Sequence, residues 1–262
     1  MSNEDQVSTT ECGNAGPLIS IATVCFNAIS TAPSTAESLD RQTFRDFEWV
    51  VVDGASNDGT TEWLKTNRSK MGAFVSEPDK GIFDAMNKAA GMARGEWIYF
   101  LNADDRLGDN EVLADVAREL IRAPSDVGVV YGDAMYSDGR REWLRQFSWV
   151  RAPNLVYGDL CHQVVFARRR LFREVSSFDT SLRFNADFDW LLKLVRAKVQ
   201  FHHLDRTICV FFHGGAHVQN AKACEAERFR VRYRYRNPLQ WQLGNFFLRV
   251  ELKFRRLFGQ SV

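Results

Sequence analysis

The chain has 262 residues, 45% of them hydrophobic, with seven Trp and 20 Phe, which is enough apolar material for one substantial core and excludes a disordered chain. The formal net charge of +1 hides an asymmetry: ten Lys or Arg against three Glu between Lys222 and Val262 give that segment +7 and leave −6 for residues 1–221. An acidic body with a basic tail points to an anionic surface as the tail's partner.

The five cysteines (Cys12, Cys25, Cys161, Cys209, Cys224) show no CxxC spacing, which predicts reduced thiols and no zinc site. No apolar run reaches the ~18 residues of a membrane span, and the N-terminus lacks the basic and apolar regions of a signal peptide. The expectation is a cytoplasmic protein, peripheral on the inner face of the membrane if its tail binds there. Residues 1–16 read as a loose polar tail, 17–220 as the body and 221–262 as a basic helical extension.

In chain order, Ile19–Cys25 reads as a strand, Ser34–Gln42 as a helix and Phe47–Val52 as a second strand ending in Asp53-Gly54. A helix over Thr60–Asn67, a short strand over Ala73–Ser76, a helix over Ile82–Ala93 and a strand over Trp97–Leu101 follow. Asn110 is placed to cap a helix running to Ala123, and Val127–Tyr131 makes a further strand. Alternating strands and helices imply parallel pairing with right-handed crossovers, hence an α/β fold with a Rossmann-like, mostly parallel sheet flanked by helices. Beyond it, Met135–Ser137 and Arg140–Phe147 flank a hairpin turn at Asp138-Gly139. Gln163–Ala167 reads as a strand, Ala186–Ala197 as a helix, and Val199–His203 and Thr207–Phe212 as extended segments.

The strand over Trp97–Leu101 ends abruptly in Asn102-Ala103-Asp104-Asp105. Open α/β sheets bind ligands at this edge, and two adjacent carboxylates there call for a counter-charge, typically a divalent cation carrying a phosphate. The plainer reading is a solvated Asp-Asp turn. Asp53 ends its strand before Gly54-Ala55-Ser56-Asn57-Asp58-Gly59-Thr60, where it can accept a base imide or a ribose hydroxyl. An Asx turn capped by Thr60 is the alternative, stronger for Asp58 than for Asp53. In Glu77-Pro78-Asp79-Lys80-Gly81, Lys80 can face a base or phosphates with Asp79 orienting it, or the stretch is a salt-bridged turn. Neither GxGxxG nor GxxxxGK[ST] occurs, which counts against dinucleotide and P-loop binding.

Taken together, Ile21-Ala22-Thr23-Val24-Cys25-Phe26-Asn27, Gln42-Thr43-Phe44-Arg45-Asp46-Phe47-Glu48, Asp53 to Thr60, Asp79 to Asn87 and Leu101 to Asp105 resemble family 2 glycosyltransferases in the same order and at similar spacing. The match covers about residues 18–215, and the subgroup it resembles builds bacterial polysaccharides and glycolipids. The resemblance implies a GT-A fold, a nucleotide-sugar donor with UDP-sugar favoured, a divalent metal (Mn2+ or Mg2+), an inverting displacement, and a glycan or lipid-linked acceptor. It implies donor-nucleotide contacts at Thr23, Asn27, Asp53, Lys80 and Asp104, with Asp105 as the metal ligand. Many members have Asp where this chain has Asn102, which can still bond the ribose but adds no charge.

An inverting transfer needs a base on the acceptor side. In Phe184-Asn185-Ala186-Asp187-Phe188-Asp189, which opens a helix, Asp187 falls at the position of the family's catalytic aspartate, although the usual preceding Glu is Ala186. Asp189 is then structural; otherwise both acids merely favour the helix dipole. His162, in Cys161-His162-Gln163, can bind acceptor hydroxyls. The stretch His213-Gly214-Gly215-Ala216-His217 resembles a flexible loop closing over the donor, with His213 or His217 near the diphosphate or metal.

Leu239, Leu243, Phe246, Val250, Phe254 and Leu257 form an apolar stripe among basic residues, preceded by Arg228, Arg230, Arg232, Arg234 and Arg236. An interfacial amphipathic helix has this pattern; packing on the body ranks second, and no nucleic-acid motif is present. Two other functions fit part of this chemistry. A sugar-phosphate nucleotidyltransferase would show a glycine-rich loop after the first strand, where this chain has Cys25-Phe26-Asn27. A non-catalytic nucleotide-sugar binding module would not need Asp187.

Overall fold

The computed structural model describes residues 16–235. The tail over residues 1–15 and the apolar stripe from Leu239 to Leu257 lie outside the described residues. The strands are β1 (Ile19–Cys25), β2 (Phe47–Asp53), β3 (Ala73–Ser76), β4 (Trp97–Phe100), β5 (Arg106–Leu107), β6 (Val127–Ser137), β7 (Glu142–Arg145), β8 (Val165–Arg168) and β9 (Gln200–Phe212). The helices are α1 (Ala32–Asp40), α2 (Thr60–Thr66), α3 (Ile82–Met92), α4 (Val112–Arg122), α5 (Leu171–Glu174), α6 (Ala186–Arg196), α7 (Ala216–Gln219) and α8 (Ala221–Tyr235).

All nine described strands join one sheet in the order β3-β2-β1-β4-β8-β6-β9-β5, with β7 beside β6. β3, β2, β1 and β4 are parallel, whereas β8 is antiparallel to both β4 and β6. Every residue of β1 and β4 is buried, because helices cover both faces. Val50, Val51 and Val52 of β2 are each 0% exposed. At about 1.5–3 kcal/mol per buried aliphatic side chain, this tripeptide outweighs any exposed ion pair of the molecule. The chain leaves β1 toward β2 on one side and β4 lies on the other, so a topological switch point opens at the carboxyl ends of β1 and β4.

The hairpin at Asp138-Gly139 forms as the sequence indicates: Gly139 has φ +83°, and Asp138 Oδ1 accepts the N–H of Arg140 and of Arg141, each at 2.8 Å. The second half differs from expectation in strand length. β6 is continuous from Val127 to Ser137, pairing with β8 along its first half and β7 along its second. β9 likewise runs unbroken through Gln200–Phe212, with bulges against β6 absorbing the polar interruption at Asp205-Arg206. Gly132 permits that irregularity, since a Cβ there would sit 2.4 Å from the carbonyl oxygen of Arg206.

Capping also differs. Thr60 is the first residue of α2, and Asp58 Oδ1 accepts its N–H at 3.0 Å. Asn110 does not cap α4; the N-cap is Glu111, and Gln42, which lies beyond the end of α1, accepts the Leu113 N–H at 3.0 Å. Gln42 thereby ties α1 to α4.

The largest correction concerns the basic extension. α8 packs on α6, with Val231 fully buried, so residues 221–235 belong to the body. Arg228 pairs with Asp159 at 2.7 Å and lies over the Phe188 ring, and Arg232 donates to the Gly158 carbonyl at 2.7 Å. Their charge is spent internally. Among the described residues no helix is long and apolar enough to cross a membrane.

Candidate active site

The carboxyl ends of β1, β2 and β3 align, with Cys25 beside Asp53 and Asp53 beside Ser76. Asp53 is fully buried and organises the loop that follows it. Its Oδ2 accepts the Ser56 N–H (3.2 Å) and the hydroxyls of Thr61 and Ser76 (2.6 Å each), while Oδ1 accepts the Ser56 hydroxyl. Asn27, held at φ +51°, donates its own N–H to Ser56 Oγ (2.8 Å) and accepts the Asn57 N–H on Oδ1 (3.0 Å). These bonds join the β1 and β2 loops into one floor.

Thr23 lies elsewhere. It is 1% exposed, and its hydroxyl accepts the Trp49 indole N–H at 2.9 Å, so it fixes β1 to β2 instead of reaching the open edge. Lys80 is exposed at the rim, with its backbone N–H on Asp84 Oδ2 at 3.1 Å. Asp79 folds against the β2 loop, where a Cβ on Gly54 would meet its Oδ2 at 2.6 Å.

The acidic turn after β4 divides its two carboxylates. Asp104 is exposed, whereas Asp105 is 1% exposed. α1 holds this turn through the Thr35 hydroxyl, which donates to the Asp105 carbonyl at 2.7 Å. Oδ1 of Asp105 accepts the Phe212 N–H from the end of β9 (3.0 Å), but Oδ2 is buried with no hydrogen-bond partner. Burial, and then the Asp104 charge, push the Asp105 carboxyl well above the usual carboxylate range, offset in part by the Phe212 N–H and Gln163. Desolvation by the surrounding protein raises Asp104 as well, although its side chain still reaches solvent, against the opposing pull of its own backbone and His162.

A buried carboxyl oxygen without a partner fits a divalent cation, whose charge would favour the ionised form that burial opposes. Among the described residues no group of three or more His, Cys, Asp or Glu gathers to hold one. A cation at Asp105 therefore needs further ligands from the substrate, as a diphosphate provides.

Asp187 lies in the first turn of α6 and is part-buried. Its Oδ1 accepts the Phe188 N–H (2.8 Å), and its Oδ2 lies 2.8 Å from Nδ1 of His162. Burial alone would raise this carboxyl, yet it sits below its usual value because His162, the Phe188 N–H and Arg228 outweigh burial. The other ring nitrogen of His162 is 3.2 Å from Nδ2 of Asn102. A single hydrogen-bonded chain thus runs from the acidic turn to Asp187, and His162 is its middle member.

Asp189 is fully buried and structural, paired with Lys193 (2.9 Å) and bonded by the Tyr235 hydroxyl (2.9 Å). His213 extends β9 by donating its N–H to the Ser137 carbonyl (2.7 Å), and its ring packs edge-on to Trp143 with centroids 5.5 Å apart. The side chain of His217, in α7, lies outside the described residues. The thiols are held protonated by burial and neighbouring carboxylates, Cys161 up to about 12 and Cys25 higher, so neither is a nucleophile at neutral pH.

Glu227, Thr35 and the Phe212 amide support the site from far away in sequence. Only Glu227 left a signal, as one of two acids, with Glu225, inside a basic helix. Its carboxylate accepts the N–H groups of Arg183 (2.9 Å), Phe184 (2.8 Å) and Asn185 (2.8 Å), the segment that leads into α6.

The sequence profile of Glycosyl transferase family 2 matches residues 20–193. A PGL/p-HBAD biosynthesis glycosyltransferase of Mycobacterium tuberculosis is 34% identical over 183 residues, covering 68% of this chain and 70% of the relative. Staphylococcus aureus TarS in complex with UDP-GlcNAc superposes with a TM-score of 0.66 at 22% identity, covering 77% of this chain and 60% of that one. Glucosyl-3-phosphoglycerate synthase from M. tuberculosis, solved with Mn2+, UDP and glucosyl-3-phosphoglycerate, gives a TM-score of 0.59 at 16% identity over 83% of this chain and 80% of that one. At these identities the structural likenesses establish the fold alone, whereas the profile spans most of the chain. The chain belongs to glycosyl transferase family 2 and is a glycosyltransferase of GT-A fold.

Proposed function

We propose that the protein is an inverting transferase that moves a sugar from a nucleoside-diphosphate donor, UDP-sugar favoured, to a hydroxyl of a glycan or lipid-linked acceptor. The observation that carries this reading is the pairing of two unlike carboxylates. Asp105 has a buried oxygen with no partner, suited to a cation on a diphosphate, while Asp187 is held ionised and is joined to the same turn through His162 and Asn102. Separation of two acids by environment is how one site assigns distinct roles to them.

Asp187 takes the proton of the acceptor hydroxyl as its oxygen bonds to the anomeric carbon, and the bond to the diphosphate breaks with its electron pair leaving on the phosphate oxygen. A divalent cation bound at Asp105, Mn2+ or Mg2+, supplies neutralisation of the charge that collects there. The floor made by Asn27, Asp53 and Ser56 receives the nucleoside, with Asp104 beside the ribose and Lys80 at the rim. Exposed Phe212 (38%), whose N–H meets Asp105, and Trp143 (39%) on β7 offer flat apolar faces to the acceptor. TarS in complex with UDP-GlcNAc and glucosyl-3-phosphoglycerate synthase in complex with UDP and Mn2+ support a nucleotide-sugar donor.

Thermal stabilisation by UDP-, GDP- and dTDP-sugars with and without Mn2+ identifies the donor, and NMR of the product's anomeric proton gives the stereochemistry. Selective Mn2+-dependent stabilisation by a UDP-sugar and an inverted product are expected. A retained configuration, or no stabilisation by any of them, contradicts the proposal.

A further inference from the structure

A second opening lies at the far edge of the sheet from the acidic turn. Arg168, at the end of β8, pairs with Trp97, the first residue of β4, whereas Asp104 and Asp105 follow the last. Just beyond Arg168, a cleft of about 320 Å3 runs between the end of α3 (Ala90, Gly91) and the segment that carries Arg169, Arg170 and Arg173. Its volume falls within the ~300–1,000 Å3 of small-molecule sites.

Bonds on both sides hold the cleft open. Asn87 of α3 clamps Phe178 twice, donating from Nδ2 to its carbonyl (3.0 Å) and accepting its N–H on Oδ1 (2.9 Å). The Trp190 indole N–H fixes the Ser176 carbonyl at 2.6 Å, and the Arg169 N–H bonds the Glu96 carbonyl at 2.9 Å. Gly91 keeps one wall low, since a Cβ there would meet nothing within 4 Å.

The charges around the cleft do not balance. Arg170 pairs with Glu174 at 2.6 Å, and Arg173 comes only to 3.9 Å from the same carboxylate. Arg169 is half-buried, donates its Nε–H to the Gly95 carbonyl (2.7 Å), and pairs with no carboxylate among the described residues. Three guanidinium groups against one carboxylate leave +2, which matches the charge of a phosphate monoester with the sign reversed. The carbonyl end of α3 carries about −0.5 charge, too little to cancel that excess. Guanidinium forks also fit phosphate oxygens in pairs.

We propose that this cleft is a phosphate-binding site, remote from the catalytic edge, that takes the phosphate group of a soluble ester or of a lipid headgroup. Arg169 and Arg173 grip the phosphate, and the space beside Gly91 receives the group that carries it. The site is independent of the donor reading.

The test is 1H–15N NMR of 15N-labelled full-length protein in metal-free buffer, read at the arginine Nε–H signals, with Arg169 assigned by its loss in Arg169→Gln. Inorganic phosphate should shift the Arg169 signal saturably, and chloride at equal ionic strength should not. Gly91→Leu keeps all three arginines and fills the open wall, so phosphate should bind it ~10-fold or more weakly, as it should Arg173→Gln. Asp105→Asn should bind phosphate as the wild type does. Co-sedimentation with phosphatidylcholine vesicles, with and without phosphatidylglycerol, separates the sources. Sedimentation that needs phosphatidylglycerol and is lost in both Gly91→Leu and Arg173→Gln assigns a lipid headgroup; saturation by free phosphate without it assigns a soluble ester. Absence of both effects overturns the inference. So does phosphate binding that is unchanged in folded Gly91→Leu, which is diffuse attraction to exposed arginines, or that is lost in Asp105→Asn, which places the anion at the catalytic edge.

Discussion

Glu227 accepts the backbone N–H of Asn185 at 2.8 Å, so a carboxylate on α8 holds the N-cap residue of the helix that carries Asp187. Hydrogen bonds from Arg183 and Phe184 to the same carboxylate complete the hold. The first part of the basic extension therefore fixes the entrance to α6.

Glu227→Ala strands three N–H groups in a buried place. It should destabilise the protein by about 2–4 kcal/mol, and Glu227→Gln, which keeps one acceptor oxygen, by less. Burial opposes ionisation of Glu227, but the three N–H groups and Asn185 hold its carboxyl below the usual value. A depressed carboxyl contributes stability above its unfolded value, about 4.3, and loses it as pH falls through the folded one. Denaturation curves between pH 7 and pH 3 should thus converge for wild type and Glu227→Gln at the acid end. Removal of everything after Asn220 should give an aggregating protein, and a soluble truncation with native stability would refute this role for α8.

Asp105→Asn keeps the shape of a buried side chain whose Oδ2 has no partner and removes its ability to ionise toward a cation. The variant should melt no lower than wild type without metal, while Mn2+-stimulated UDP binding is lost. Calorimetric titration with UDP and Mn2+ reads the second effect. Retained metal stimulation in a folded variant would move the metal ligand elsewhere.

Gly54→Ala forces Asp79 to give way, because the new Cβ would meet its Oδ2 at 2.6 Å. The donor KM should rise as the loop carrying Lys80 shifts, with stability within ~1 kcal/mol of wild type because the obstacle is a side-chain end. An unchanged KM would show that the Asp79–Lys80 loop does not meet the donor.

The half of the fold that alternates strand and helix was legible because its strands are short apolar runs ending in Asp, Asn or Gly at one edge. Asp53 and Asp105 stood out for that reason. Strand length in β6 and β9 was not legible, since Gly132 and Asp205-Arg206 look like breaks unless bulges are allowed for. Thr23 showed no sign of its burial, because the Trp49 indole that holds it comes from the neighbouring strand. His162 was visible as a candidate, but its link to Asn102, 60 residues away, and to Asp187, 25 residues away, exists only in the fold. The α8 arginines looked like a solvated basic surface because charge patterning does not reveal partners such as Asp159 and the Phe188 ring.

Asp187 as the base is the central claim, and Asp187→Asn tests it most directly, since it keeps the shape and removes proton acceptance. Single-turnover transfer from the identified donor, with donor affinity measured on the same preparation, should show the rate down by ~100-fold or more and the affinity nearly unchanged. A folded Asp187→Asn protein that transfers at the wild-type rate would contradict the account.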